Sequence, residues 1–430
     1  MPANDMSTWC RVAKEPTYHT LPPQIVTVTP GTPPGGTYTL TWHGLATATI
    51  ALGATAASVQ VKLRALVGMP QDMTVTGTDG GPYTVTIPGW AGQLALTATS
   101  SLTGTGAAIA ITGGPVWAIL KLLKFDAPEY DTAVDVPEEM RNAPWGEFVD
   151  SETYGGAKAT FGFSAGIRAD QAPIFHAMNG FSNVRTGSAG LFTQTQTPTS
   201  TSSARATYAV QVYDGLGVSC IAGFVGTSLD YTFGGGDKGD SDQIDVKGWG
   251  LLPQPITDTI TVTMPSDTTF RRISPTTTGT GITLGGTANA YLRSGKISWT
   301  WDSEPLYTRT GTRDPRRPKY KKAAGTFELT FLFDDATELQ TAVAAALVGK
   351  AWVLAMPGVE PLPTGAPTTV DSITITLPAG IYTKPKIALG DGTPELTLTG
   401  KLLYDSTTGA PIKIVTVNAT GTLTYGPEEP

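Results

Sequence analysis

The three histidines are the side chains best suited to acid–base or metal chemistry, and they are far apart in the sequence, at His19, His43 and His176. Metal-dependent hydrolysis and zinc binding need such groups at short, defined spacings, and we identify no HExxH motif, no GxSxG motif and no spaced Cys/His set. His176 lies near the apolar face of a predicted helix, which favours a packed core histidine over a catalytic base. We therefore expect no catalytic residue and no cofactor.

Carboxylates are concentrated between Asp126 and Glu152, where Arg141 is the only basic residue. Two carboxylates at a fixed separation could hydrolyse a glycosidic bond, but neighbours in a proline-rich loop have no fixed geometry. The prolines also disfavour a helix, so we expect a long loop or open hairpin that is solvated or forms a contact surface. The acidic residues are Asp126, Glu129, Asp131, Asp135, Glu138, Glu139, Glu147, Asp150 and Glu152.

A second acidic segment, from Gly234 to Asp245, has oxygen ligands of the kind that calcium prefers. It lacks the glycine and the distal glutamate of an EF-hand loop. A solvated hairpin tip is the preferred interpretation, and no metal is expected. The carboxylates belong to Asp237, Asp240, Asp242 and Asp245.

A basic segment follows the middle of the chain and could contact phosphate groups. Tyr320 is its only aromatic residue available for stacking on bases, so sequence-specific recognition is not expected. Opposite charges on the acidic and basic segments would steer association and fix its register, although simple solvation is the alternative. The predicted interface residues are Asp131, Asp135, Glu138, Glu139, Arg309, Arg313, Arg316, Arg317, Lys319, Lys321 and Lys322.

A strand followed by a short helix and a glycine must position these segments, and this unit occurs twice. In the first copy, Gly156 to Gly180, Phe161 and Phe163 alternate with small residues, and Asp170 is expected to cap a helix that ends at Gly180. Its apolar helical face comprises Ile174, Phe175 and Met178.

The second copy, Ala324 to Gly349, repeats this pattern. Phe327, Leu329, Phe331 and Phe333 alternate, Asp335 begins a predicted helix with Leu339, Val343 and Leu347 on one face, and Gly349 ends it. Strand pairs are predicted after each copy, at 206–215 with 218–233 and at 372–380 with 394–404. Strands at 116–125 and 296–301 are expected to be equivalent, and a last strand is predicted at 412–417. The pattern indicates an internal duplication, and chance similarity is the alternative.

The composition indicates a mainly β protein with two or three domains. Short apolar segments are separated by Gly, Pro, Asn and Asp, and only 15% of residues are charged. The formal net charge of −7 disfavours a surface that binds duplex DNA throughout. Cys10 and Cys220 allow at most one disulfide bond, and no apolar run has the length of a membrane span. We expect synthesis and folding in a reducing cytoplasm, with no signal peptide.

Residues 22–114 differ from the rest in being rich in Thr, Gly and Ala and nearly free of charge. Alternating segments predict strands at 25–29, 37–42, 46–52, 73–77, 82–87 and 107–112, and 55–68 predicts a helix with Val59, Leu63 and Leu66 on one face. We interpret 22–114 as an inserted β-rich domain, 1–21 with 115–253 as a first unit, and 254–430 as a second. A Gly/Thr/Ser-rich connection is expected at 183–204.

Several segments resemble the tail tube proteins of long-tailed, siphovirus-type bacteriophages. They are WCRVAKEPTYHTLP, GGAKATFGFSAGIRADQAPIFHAMNG, ATYAVQVYDGLGVSCIAGFVGTSLDYTF, QIDVKGWG and SITITLPAGIYTKPKIALGDGTPELTLTGKL. The inserted segment, with GTYTLTW, ATIALGATAASVQVKLRAL and GPYTVTIPGWAGQ, resembles an Ig-like decoration module of phage tail and surface proteins.

This resemblance implies duplicated β-sandwich or barrel units, each with one flanking helix, whose rings stack into a hollow tube. It implies a virion protein that encloses the tape-measure protein, meets tail terminator and distal tail proteins, and later conducts double-stranded DNA without binding it specifically. Three duplicated copies would fill six equivalent positions, with six copies per ring as the alternative. A β-rich baseplate adhesin that binds host carbohydrate is the competing hypothesis. No membrane contact and no enzymatic activity are expected.

Overall fold

The computed structural model describes most of the chain. The described residues are 9–18, 20–32, 35–42, 45–67, 69–89, 96–113, 117–135, 153–188, 191–199, 205–213, 217–234, 242–256, 282–284, 288–289, 291–307, 315–333, 336–347, 351–361, 370–378, 382–390 and 393–418. Within them the fold is mainly β, with three helices, as predicted.

Nine strands and one helix precede residue 114. They are β1 (Trp9–Lys14), β2 (Gln24–Pro30), β3 (Gly35–Trp42), β4 (Leu45–Ala46), β5 (Ile50–Ala51), α1 (Ala56–Arg64), β6 (Thr74–Gly77), β7 (Tyr83–Ile87), β8 (Thr97–Thr103) and β9 (Ile109–Gly113).

The middle of the chain adds nine strands and a short helix. They are β10 (Ala118–Leu120), β11 (Lys124–Asp135), β12 (Thr153–Gly166), α2 (Ala172–Met178), β13 (Phe181–Ser188), β14 (Leu191–Pro198), β15 (Tyr208–Tyr213), β16 (Val218–Phe233), β17 (Gln243–Gly250) and β18 (Gln254–Ile256).

The last third adds nine strands and the third helix. They are β19 (Ile282–Leu284), β20 (Ala288–Asn289), β21 (Tyr291–Leu306), β22 (Arg317–Leu332), α3 (Ala336–Leu347), β23 (Trp352–Pro361), β24 (Val370–Leu377), β25 (Tyr382–Gly390), β26 (Thr393–Leu402) and β27 (Lys413–Asn418).

Residues 24–113 form two small sheets around a core of their own. One sheet has the order β6-β7-β2-β9, and in the other β3 pairs with β4, β5 and β8. The Thr55 side chain caps α1 by accepting a hydrogen bond from the Ser58 amide at 3.2 Å, and Val59 and Leu63 face the core. The strand expected at 46–52 is interrupted, and β8 was not predicted because Thr97–Thr103 is almost entirely polar.

The largest sheet, called the long sheet below, contains twelve strands. Its main path runs β10-β1-β15-β16-β21-β22-β26-β25, and β17, β12 and β11 branch from β16 in that order. The predicted period-2 pattern explains why one face of β22 is covered, because Phe327, Leu329 and Phe331 are buried while Thr326 and Glu328, at alternate positions, are exposed.

A second sheet of seven strands has the order β13-β14-β27-β24-β23-β19-β20. A single apolar core includes residues from both sheets, among them Phe331 and Leu398 of the long sheet and Trp352 and Ile375 of the second. The two sheets therefore enclose one continuous core, to which both α2 and α3 contribute.

Helix α2 lies where it was predicted, with Ile174, Phe175 and Met178 fully buried. Its N-cap is Gln171 rather than Asp170, and no side chain caps it; the preceding carboxylate is itself buried. Gly180, two residues after the helix, has φ of +75°, a conformation that suits glycine.

Helix α3 buries Leu339, Ala342 and Ala346, with Val343 packed partly against the core. Leu347 is 68% exposed, so its predicted place on the buried face is wrong. The buried face of α3 instead includes the small residues Ala342 and Ala346, which a pattern of large apolar residues does not identify. Asp335 and Gly349 lie outside the described residues.

Three predictions about strand organisation are corrected. The expected connection at 183–204 contains most of the β13–β14 hairpin, whose polar residues hide its period-2 pattern. The first predicted pair is the β15–β16 hairpin, but 372–380 and 394–404 supply β24 and β26, which lie in different sheets. The strand predicted at 116–125 divides between β10 and β11, and β10 pairs with β1. The last strand, β27, is confirmed.

Candidate assembly interface

The long sheet contains two successive blocks of four strands with the same internal order. The first block is β11-β12-β17-β16, and the second block is β21-β22-β26-β25. In the first block, the hairpin β11–β12 is followed by α2, and β17 of the later hairpin β16–β17 pairs with β12. In the second block, the hairpin β21–β22 is followed by α3, and β26 of the later hairpin β25–β26 pairs with β22. The predicted duplication is thus present in the long sheet. In the second sheet, each helix is again followed by a hairpin, β13-β14 or β23-β24, but the two hairpins lie in opposite order on either side of β27.

The pairing register matches between blocks residue by residue. In each block, a phenylalanine lies opposite a glycine, and the next inward residues are apolar on both strands. The matching pairs are Phe161–Gly248 with Phe327–Gly400, Phe163–Val246 with Leu329–Leu398, Tyr231–Ile244 with Ile387–Leu396, Lys124–Ser164 with Ser294–Thr330, and Glu129–Thr160 with Ser298–Thr326.

Strands β16 and β21 join the two blocks, and we call this contact the inner junction. The strands pair antiparallel from Ser228 opposite Thr300 to Phe233 opposite Gly295. Across it the Lys296 ammonium lies 2.8 Å from the Asp230 carboxylate, a diagonal cross-strand ion pair. The inner junction therefore combines a backbone ladder with a charge pair that favours one register.

A buried arginine also links the two blocks. The Arg205 guanidinium lies 4.3 Å from the ring centroids of both Trp301 and Tyr320, which belong to the second block. Its Nη2 donates a 3.1 Å hydrogen bond to the carbonyl of Gly226 on β16. Burial lowers the pKa of Arg205 to about 10, which leaves the group charged at neutral pH. A cation between two rings is a desolvated contact that requires the planar guanidinium.

The two outer strands of the blocks, β11 and β25, are edges in the described part of the chain, where β11 pairs only with β12 and β25 only with β26. Lys384, Lys386 and Ile387 are exposed on β25. On β11, Glu129 is exposed, and the Asp126 carboxylate is 2.6 Å from Lys124. One edge is therefore basic and the other mainly acidic.

The predicted interface residues lie along or beyond the two equivalent long hairpins, β11–β12 and β21–β22. Asp131 and Asp135 belong to β11, and Arg317, Lys319, Lys321 and Lys322 belong to β22, with Arg316 just before it. Lys321 pairs with Glu304, and lies 3.7 Å from Asp302, on the neighbouring strand. This pairing raises the pKa of Lys321 and lowers that of Glu304. Glu138, Glu139, Arg309 and Arg313 lie outside the described residues.

His176 is a core residue, as predicted. Its Nδ1 donates to Gln196 Oε1 at 2.5 Å and its Nε2 accepts from the Tyr231 hydroxyl, which assigns the neutral tautomer. Burial lowers its pKa to about 4. Both ring nitrogens are thus occupied in a site closed to solvent. His19 and His43 lie outside the described residues.

One catalytic spacing was overlooked in the sequence. Gly162 to Gly166 reads GFSAG, which matches the GxSxG motif of serine hydrolases. That motif requires its serine on a sharp turn between a strand and a helix. Ser164 instead lies within β12, paired with Lys124 on one side and Asp245 on the other. The spacing therefore has no nucleophile geometry here.

The described residues contain no group of three or more His, Cys, Asp or Glu side chains arranged to hold a metal ion. Within the acidic segment at 234–245, Asp242 is buried and accepts a 3.0 Å hydrogen bond from the Gly234 amide. Asp237 and Asp240 lie outside the described residues. Cys10 and Cys220 are both free thiols, so the possible disulfide is not formed. None of the described helices is long and apolar enough to cross a membrane.

Sequence reasoning missed Arg205 and the two outer edges. The alternation of Lys384 and Lys386 was the available signal for a basic strand edge, but nothing in the sequence shows which strand lies at an edge. A scan against models of protein families found no match for this chain, and a search of curated proteins found no relative.

Proposed function

We propose that this protein is a tail tube subunit of a long-tailed bacteriophage. Copies associate edge to edge into rings, and the rings stack into a hollow tube. Because each chain supplies two equivalent blocks, three copies complete a ring with six equivalent positions. Each copy contributes the eight strands of its two blocks, so the ring would contain 24.

The inner junction is the observation that carries this proposal. Within one chain, two equivalent blocks already associate through their edges, so the proposed ring would repeat between copies a contact that each chain makes internally. Closing such a sheet into a barrel leaves no open edge, which removes the aggregation hazard of β11 and β25.

The conduit proposed here would enclose the tape-measure protein and later let double-stranded DNA pass. A formal net charge of −7 is compatible with a wall that does not bind DNA. Tail terminator and distal tail proteins are the proposed partners at the two ends of the tube.

Electron microscopy of concentrated, purified protein, with native mass spectrometry of single rings, tests the proposal. We expect rings and tubes with three copies per ring. Rings of six copies would contradict the role of the duplication, and a chain that stays monomeric at high concentration would contradict the tube itself.

The charged hairpin ends give a second test. We expect the triple variant Arg313→Glu, Arg316→Glu and Arg317→Glu to fold and form rings but not to stack them, because the basic hairpin would no longer complement the acidic one. Lys62→Glu, a single reversal on the inserted segment, serves as a charge control. Tubes of normal length from the triple variant would exclude these loops from stacking.

The inserted segment should be dispensable for the tube. Residues 24–113 have their own core, and Trp117 Nε1 contacts the Gly89 carbonyl at 2.5 Å beside the arm. We expect a chain without 24–114 to form rings. Loss of tubes in that variant, with the remaining chain still folded, would show that the insert is structural.

A further inference from the structure

The inner junction offers a template for the contact between two copies. Strand β25 of the second block is equivalent to β16 of the first, and β11 of the first is equivalent to β21 of the second. A contact between β25 of one copy and β11 of the next would therefore repeat, between chains, the antiparallel pairing that β16 and β21 make within one chain.

The residue pairs that match between the two blocks identify the equivalent of each residue on the outer edges. Ile387 is equivalent to Tyr231, so Lys386 takes the position of Asp230. Lys124 is equivalent to Ser294, so Asp126 takes the position of Lys296, two residues further along.

These are the two positions of the ion pair at the inner junction, and their charges are exchanged. Within the chain, the carboxylate is on β16 and the ammonium on β21, 2.8 Å apart. On the outer edges, the ammonium of Lys386 is on β25 and the carboxylate of Asp126 is on β11. The same diagonal contact would form with reversed sign.

Other charges on the outer edges agree with this register. Glu129 is equivalent to Ser298, which lies opposite Asp230, so Lys386 would also lie directly opposite Glu129. By the same equivalence of strand positions, Lys384 would lie opposite Asp131. Opposite charges in directly facing positions stabilise a strand pair, and like charges destabilise it.

We propose that β25 of one copy pairs antiparallel with β11 of a second copy in the register of the inner junction, with Lys386 contacting both Asp126 and Glu129. This inference rests on the proposed function and names the residues of its ring contact. Of the two register shifts in the β11–β12 pair, the one at Ala127 and Pro128 would face Ile387.

The exchange of charges also selects the partner edge. Two basic β25 edges repel each other, and so do two acidic β11 edges, so neither can pair with its own kind. A head-to-tail contact between unlike edges is the arrangement that can close a ring.

Charge reversal tests the contact directly in the full chain. We expect Lys386→Asp, or Asp126→Lys, to lower ring yield at low salt by about tenfold, since three junctions per ring each lose an attraction and gain a repulsion. The triple variant Lys386→Asp, Asp126→Lys and Glu129→Ser should recover ring yield, because it rebuilds the arrangement of Asp230, Lys296 and Ser298 without placing two carboxylates opposite each other. Lys401→Glu, on the exposed face of β26 inside the sheet, is the matched control.

Disulfide trapping tests the register. Facing residues on antiparallel strands lie within reach of a disulfide, so Lys386→Cys with Glu129→Cys should give covalent trimers under oxidation. Lys384→Cys with Lys124→Cys places the thiols about 20 Å apart in the proposed register and should not. The native Cys10 and Cys220 are buried, which limits interference.

The outcomes separate this inference from the proposed function. Rings that form normally despite the single reversals, or that cross-link only in the control register, would overturn the edge contact and leave the tube role intact. Wild-type chains that form no rings would overturn both. Recovery of rings in the triple variant, after their loss in a single reversal, supports the contact, and failure of that recovery with a folded chain would overturn the pairing of Lys386 with Asp126.

Discussion

The first and second blocks have the same strand order but are stabilised by different contacts. The first block lies beside buried polar contacts: His176 with Gln196 and Tyr231, and, in the strands alongside, Arg11 with Gln211 at 2.7 Å. The second block lies against aromatic and aliphatic side chains, as where Phe331 stacks on Trp352 with ring centroids 5.0 Å apart.

The helices show the same difference. Six of the seven residues of α2 are buried, including a histidine, whereas α3 buries a narrow stripe and exposes Leu347. Apolar alternation along the strands is therefore enough to set the common strand order. Buried polar groups beside the first block lie on α2 and on strands such as β1, β14 and β15, and each of them needs a matching partner.

The largest effect should come from the apolar packing of the second block. Phe331 is fully buried, so Phe331→Ala should lower the free energy of unfolding by about 3–5 kcal/mol, through lost transfer energy and a cavity. Urea titration followed by tryptophan fluorescence measures this. Leu347→Ala, at an exposed position of α3, should change stability by less than about 0.5 kcal/mol. Equal losses in both variants would contradict the described packing.

The contact between blocks should matter somewhat less. Arg205→Ala should cost about 2–3 kcal/mol because it removes a desolvated cation–π contact and leaves a carbonyl without its donor. Arg205→Lys keeps the charge but loses the planar stack, so it should recover only part of the loss. Full stability in Arg205→Ala would show that the blocks do not depend on this link.

Two buried ionisable groups near the first block should respond to pH in opposite directions. The unfolded chain protonates histidine near pH 6.5, but folded His176 has a pKa of about 4, so stability falls as the pH drops through this interval, by about 3 kcal/mol at most. Burial raises the pKa of Asp170 from 3.8 to about 7, so its contribution falls as the pH rises between these values.

Single variants separate the contributions of His176 and Asp170 to the pH dependence of stability. Relative to the wild type, His176→Gln should lose stability less steeply on acidification between pH 6.5 and 4, and Asp170→Asn should lose less as the pH rises from 4 to 7. Urea titrations at pH 4.5, 5.5, 6.5 and 7.5 measure both slopes. Parallel profiles for the wild type and a variant would refute the assigned role of that residue.

The smallest effect is expected at the basic hairpin. Lys321 contacts Glu304 and Asp302 at an exposed site, where ion pairs contribute little. Lys321→Ala should leave the thermal midpoint unchanged within error. A clear fall would mean that the hairpin stabilises the subunit as well as presenting charge.

Local patterns predicted much of the fold. The alternation in 327–333 and the helical face of Ile174, Phe175 and Met178 were enough to place β22 and α2, since burial of one face explains both. Polar strands were missed: β8 consists largely of Thr and Ser, and β13 is interrupted by Asn, Arg and Gly, so neither shows a clear apolar alternation.

The candidate interface was less predictable. The charged hairpins stood out as clusters, so they were identified. The proposed edge pairs were not identified, because the equivalence of Lys386 and Asp230 depends on the strand register in both blocks. No single segment of the sequence contains that information. The prediction for Leu347 was wrong because a spacing of four residues exceeds the roughly 3.6 residues of a helical turn. Each step of four therefore rotates the side chain further from the buried face.

The position of β27 has a consequence for how the subunit is made. This strand lies between β14 and β24, so it joins hairpins from both halves of the chain. During translation, β14 emerges from the ribosome long before residues 413–418 are synthesised, and its edge must wait for a distant partner. Such long-range closure is slow and leaves strands open to wrong pairing. The second sheet therefore reaches its final form only after β27 has been synthesised, which delays the mature fold until that strand is available.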